Sequence, residues 1–137
     1  NQGALRFKDE SILWGVALDE NGVAKSGMGV ASEDVDDDGD PDLLIVNLQG
    51  ETDSFFRNEG THFTDDTASI GLGTRSRKYT RWGVALADFN NDGYLDILTL
   101  DMLGETNYRL KTTIKATKIK QPKQKPCIDT PNIMAGS

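Results

Sequence analysis

Apolar residues in this chain come in short bursts, not in the long 3.6-period stripes of amphipathic helices. Leu43-Leu44-Ile45-Val46, Phe55-Phe56 and Ile97-Leu98-Thr99-Leu100 are separated by turns rich in Gly, Asp and Asn. Runs of this kind, with β-branched and aromatic residues, read as buried strands. The pattern predicts four short strands: Gly29 to Glu33, Leu43 to Asn47, Ser54 to Asn58 and His62 to Asp65. Turns fall at 34–42, near Gly50 and at Glu59-Gly60. The expected class is all-β with antiparallel strands. Trp14-Gly15-Val16-Ala17-Leu18 is identical to Trp82 through Leu86 and is expected to form a further strand and turn leading to Met28.

The bursts repeat. Met28-Gly29-Val30-Ala31 matches Trp82-Gly83-Val84-Ala85, and Gly50-Glu51-Thr52 matches Gly104-Glu105-Thr106, both at an offset of 54 residues. Gly3-x-x-x-Phe7-x-Asp9-Glu10-Ser11 also resembles Gly60-x-x-Phe63-x-Asp65-Asp66-Thr67. The chain thus opens with the last strand of one unit, carries a full unit and begins another. Four antiparallel strands per unit suit a β-propeller blade, so residues 1–110 are expected to form a partial propeller. Asn58-Glu59-Gly60 does not recur at 112–114, where Thr112-Thr113-Ile114 stands. From Lys111 onward the chain is rich in Lys, Thr and Gln and holds three of the four prolines, so 111–137 reads as a disordered tail.

Between the strands lies the candidate chemistry. Asp34-Val-Asp-Asp-Asp-Gly-Asp-Pro-Asp42 packs six carboxylates into nine residues. Two such charges about 4 Å apart repel by roughly 4 kcal/mol at an effective dielectric of about 20. Asp34, Asp36, Asp38 and Asp42 fill positions 1, 3, 5 and 9, Gly39 permits a sharp turn at position 6, and Asp40 at position 7 would offer its backbone carbonyl. Hard oxygens at this spacing can wrap a Ca²⁺ ion, with Asp37 pointing to water. The pattern returns as Asp88, Asn90, Asp92 and Asp96, with Gly93 at position 6 and the Tyr94 carbonyl at position 7. Two calcium sites are expected, the first tighter on its extra carboxylate. An EF-hand needs a Glu at position 12, but Ile45 and Thr99 stand there, and strands leave these loops instead of helices. The competing reading is two metal-free Asx turns, since Asp and Asn side chains cap their own backbone. Asp19-Glu20-Asn21-Gly22 begins like a third loop, yet Val23, Lys25 and Gly27 at positions 5, 7 and 9 supply no carboxylate.

Charge narrows the partners. The net charge of −7 argues against nucleic acid. That average hides 21 acidic against 9 basic residues over 1–110, a net of −12, and a tail with six lysines and one aspartate, a net of +5. No run of 18 apolar residues exists, so no membrane span is expected. Cys127 has no internal partner. His62 is the only histidine and follows a turn, so a surface position is expected. No Gly-x-Ser-x-Gly elbow, phosphate loop or Cys-His pair is present, and the chain is expected not to be an enzyme.

On the Met28-Gly29 and Trp82-Gly83 pairs, the two Asp loops, Phe56-x-Asn58-x-Gly60 and Phe63-x-Asp65, residues 3–110 resemble the FG-GAP or VCBS repeat of integrin-α-like β-propellers. The likeness is strongest to cartilage-acidic-protein-like ASPIC/UnbV proteins, whose segments Leu100-Asp101-Met102-Leu103 and Asn107-Tyr108-Arg109 also resemble. The resemblance implies a seven-bladed propeller with calcium loops between blade strands and a role in adhesion or recognition. About two blades cannot close such a ring, so this stretch is expected to be part of a longer propeller chain. A secreted, cell-surface or periplasmic setting follows, with a protein or carbohydrate ligand. The alternative is the recognition portion of an extracellular polysaccharide-acting enzyme.

Overall fold

Asp42–Val46 alternates buried and half-buried residues, as a strand does when one face rests on a core. The computed structural model describes residues 5–102 and the strand at 111–115. Nine elements follow in chain order: α1 (Ser11–Trp14), β1 (Gly29–Glu33), β2 (Asp42–Val46), β3 (Ser54–Asn58), β4 (Phe63–Asp65), α2 (Gly73–Ser76), β5 (Thr80–Ala87), β6 (Asp96–Met102) and β7 (Lys111–Lys115). Strands β1 to β4 form an antiparallel meander in chain order. Strands β5, β6 and β7 form a second antiparallel sheet. All four strands expected for the full unit are present, two of them with identical bounds.

The sheets share one core. Val35, Leu44, Phe55 and Ile70 from the first unit pack with Leu86 and Ile97 from the second. Leu44 faces Phe55 across β2 and β3, and Leu86 faces Ile97 across β5 and β6. The first strands of the two sheets lie against each other. A Cβ built on Gly29 would fall 2.6 Å from the Trp82 carbonyl oxygen, so only glycine lets β1 approach β5 this closely.

A buried ionic clamp joins the sheets beside this contact. Arg81 of β5 pairs with Asp53, which precedes β3, and donates from Nε to Asp101 of β6 at 3.1 Å. Thr99 Oγ1 also donates to that Asp101 oxygen, at 2.8 Å. Asp53 Oδ1 accepts from the Asn47 amide, and the Asp53 amide donates to Ser76 Oγ on α2. Burial pushes the Asp53 carboxyl above its ordinary value, although the Arg81 charge pulls the other way.

Four expectations need correction. Trp14 to Leu18 is not a strand: Trp14 closes the helical turn α1, and Gly15 takes a left-handed φ of 80°. A Cβ on Gly15 would lie 2.7 Å from the Phe63 carbonyl oxygen, and Trp14 packs on Phe63 with ring centroids 6.3 Å apart and planes tilted by 60°. Packing onto β4 therefore overrides a sequence identical to that of β5. Secondly, residues 6–10 form no strand, and Phe7 is exposed. The turn that follows does repeat: the Ser11 amide donates to Asp9 Oδ1 as the Thr67 amide donates to Asp65 Oδ1. Thirdly, Lys111–Lys115 pairs with β6, although the tail was expected to be disordered from Lys111. Its β-branched Thr112-Thr113-Ile114 suits a strand; the rest of the tail, with Cys127, lies outside the described residues. Lastly, two single-turn helices, α1 and α2, occur where none was expected. Among the described residues no helix is long and apolar enough to cross a membrane.

Candidate metal centre

Each Asp loop links two strands of one sheet, β1 to β2 and β5 to β6. Positions 4 and 6 of both loops adopt left-handed backbone: Asp37 and Gly39 have φ of 60° and 94°, Asn91 and Gly93 of 57° and 83°. Asp and Asn tolerate that region better than other side chains, and glycine enters it freely. This is the physical reason for the residue types at those places. With these turns made, amides converge on the first aspartate. Asp34 accepts from the Asp38 and Gly39 amides at 3.1 and 2.9 Å. Asp88 accepts from Asp92 and Gly93 at 3.1 and 2.8 Å. Asp38 Oδ1 accepts from the Asp40 amide, and Asp92 Oδ1 from the Tyr94 amide. The two loops have the same backbone shape and the same internal hydrogen bonds.

Position 9 anchors each loop to its strand. Asp42 is buried, its Oδ2 accepting from Val35 and its Oδ1 from the Asn58 amide. Asn58 Nδ2 also donates to the Pro41 carbonyl, so Asn58 fastens β3 to the end of the loop. Burial pushes the Asp42 carboxyl up, while the Asn58 and Val35 amides pull it partly back. Asp96 is equally buried, and its Oδ2 accepts from Phe89. Among the described residues Asp96 Oδ1 is buried with no hydrogen-bond partner; the equivalent oxygen of Asp42 takes the Asn58 amide.

In the first loop Asp34, Asp36 and Asp38 come together, each with one carboxylate oxygen within 4.8 Å of the others. Among the described residues Asp36 Oδ1 is buried and unpartnered. A buried anionic oxygen without a donor is costly, and a hard cation removes that cost. The donor set is entirely oxygen, which suits calcium and not zinc. The residues therefore fit such an ion. Asp40 lies against β3's following turn, where a Cβ on Gly60 would come 3.1 Å from Asp40 Oδ2. Asp37 stands exposed. In the second loop Asp88, Asn90, Asp92 and Tyr94 are exposed and Asp96 is buried.

Residues 34–99 match the FG-GAP-like repeat. The matched FG-GAP-like stretch runs from the first aspartate of one loop through the whole of the other, with β2 to β5 between them. No curated protein matches the chain.

The spacing did not announce Arg57. It lies on β3, 21 residues from Asp36, and its Nη1 pairs with Asp36 Oδ2. Its Nε and Nη2 both donate to Asp66 Oδ2, at 3.1 and 2.8 Å. The one available signal was its position in Phe56-Arg57-Asn58, next to the residue that holds the loop's end. The Asp19 turn is settled differently. The Asn21 and Val23 amides bond to Asp19 Oδ1, and the Lys25 ammonium lies 3.3 Å from Asp19 Oδ2. Lys25 Nζ also donates to Thr52 and Ser54. A side-chain cation already sits there. His62 is exposed, as expected, and lies near Thr61.

Proposed function

We propose that the chain is a calcium-binding, non-catalytic segment of a longer β-propeller, acting in extracellular adhesion or recognition. The observation that carries this is Asp36 Oδ1, which among the described residues is buried without a donor, in the first of two loops of the same shape. Metal-free Asx turns would account for the amide bonds to Asp34 and Asp88, but not for the buried Asp36 oxygen. Asp34, Asp36, Asp38 and Asp42 would hold the first ion with the Asp40 carbonyl, and Asp88, Asn90, Asp92 and Asp96 the second with the Tyr94 carbonyl. A bound ion would supply charge neutralisation and tie each loop to the two strands it joins. A setting with millimolar calcium, outside the cytoplasm, suits loops so exposed.

The propeller reading draws support from the four-strand meander and from two sheets whose first strands adjoin. Leu100 and Met102 stand exposed on the face of β6 opposite Ile97, where a further blade would pack. The FG-GAP-like match agrees with blades of this type, and kinship with ASPIC/UnbV proteins is part of the proposal. Protein or carbohydrate is the ligand class this reading assigns.

Calorimetric titration with calcium tests it. The wild-type chain is expected to take up two ions and to melt at a higher temperature with calcium than with chelator. At a free concentration 100 times Kd each site adds about 2.7 kcal/mol. The Asp36→Ala, Asp92→Ala double variant is expected to lose both the heat and the shift. Equal melting of wild type with and without calcium would refute the assignment.

A further inference from the structure

The first loop already has a cation beside it, and that cation is held rigidly. Arg57 is anchored by two hydrogen bonds to Asp66, and its guanidinium carbon lies 5.7 Å from the centre of the Phe55 ring. Only 22% of its side chain is exposed, so solvent screens its charge weakly. From this fixed position it takes one oxygen of Asp36 and leaves the other, Oδ1, buried and unpartnered. Asp36 and Arg57 together carry no net charge and offer one oxygen to the loop. The corresponding place in the second loop is Asn90, whose neutral amide also offers one oxygen.

We propose that Arg57 is the built-in counter-ion of the first loop, fixing Asp36 as a one-oxygen ligand and holding the loop's affinity for calcium down. The proposal rests on the calcium reading above. It removes the first loop's advantage in carboxylate count, because one of its four carboxylates is spent on the arginine and three remain, as in the second loop. In the absence of metal Arg57 offsets the repulsion among Asp34, Asp36 and Asp38. When a divalent ion arrives, the guanidinium stays hydrogen-bonded to a ligand of that ion and repels it. Arg57 is thus a positioning residue with two opposed effects: it supports the empty loop and weakens the filled one.

The test is calcium titration in the Asp92→Ala background, where only the first loop reports. Arg57→Gln is expected to tighten binding roughly tenfold, as loss of a weakly screened repulsive charge requires. Arg57→Lys is expected to bind within about twofold of the parent, because the charge remains. In chelator Arg57→Gln should melt below the parent, and its calcium-induced rise in melting temperature should be larger. Should Arg57→Gln fail to fold with Asp66 left unpaired, Arg57→Gln with Asp66→Asn carries the same expectation. Unchanged or weaker binding by a folded glutamine variant, while the parent binds one ion, would overturn this proposal alone. A wild-type chain that binds no calcium at either loop would overturn the calcium reading and this proposal together.

Discussion

Replacing Arg81 with methionine is expected to destabilise the fold by about 3–5 kcal/mol at neutral pH, the cost of stranding buried charges. Asp53 and Asp101 have side chains only 2% and 4% exposed, and Arg81 is the cation paired with both. Methionine keeps the apolar stem and removes the charge, so the loss is electrostatic more than a matter of volume. The pH dependence identifies the cause. Burial already raises the Asp53 carboxyl despite Arg81, and without the guanidinium it rises further. A carboxyl raised in the folded state contributes stability below its unfolded pKa of about 3.9 and loses it as pH climbs through the folded value. The deficit of Arg81→Met relative to wild type should therefore shrink as pH falls from 7 toward about 4. Denaturant melts in chelator at several pH values check this. A deficit below about 1 kcal/mol, or one that does not change with pH, would mean that the clamp is not what joins the sheets.

Phe55→Ala is the second large effect, expected at about 3–5 kcal/mol from lost burial and the cavity left behind. Phe55 is fully buried in the cluster to which both sheets contribute, and its amide donates to Thr67 Oγ1 at 2.9 Å. Because Leu86 and Ile97 line the same cluster, the second sheet should loosen along with the first. One cooperative transition at lower denaturant is the expected result. A variant in which the first sheet melts separately, leaving β5 and β6 protected from hydrogen exchange, would show that the shared core does not couple them. Conservative replacement by leucine should recover much of the loss.

Strand placement and loop shape were legible because both rest on local rules. Short continuous apolar runs mark β2 and β6, and the Asx and glycine positions of the loops specify their own dihedral angles. Where contact partners lie far apart in sequence, the chain gave no such guidance. Trp14-Gly15-Val16-Ala17-Leu18 and Trp82-Gly83-Val84-Ala85-Leu86 are the same five residues, yet one closes a helical turn and the other lies in β5. The difference is the neighbour: β6 pairs the second copy, while Phe63 receives the first. Strand β7 was missed for a related reason. Continuing the repeat would put residue 110 opposite Ile97, as Phe56 lies opposite Leu43, but Lys115 stands there instead. Arg57 and Arg81 were invisible as partners because each reaches carboxylates 20 or more residues away through the sheet. Composition could count those charges but not pair them.

The number of calcium ions per folded chain decides whether the two Asp loops are metal sites. Native mass spectrometry in calcium, alongside a circular-dichroism melt of the same sample, gives that number. Two ions are expected on wild type, one on Asp36→Ala and none once Asp92→Ala is added. A chain that melts cooperatively and yet carries no calcium would refute the metal sites, leaving the loops as Asx turns with Arg57 as the cation beside the first.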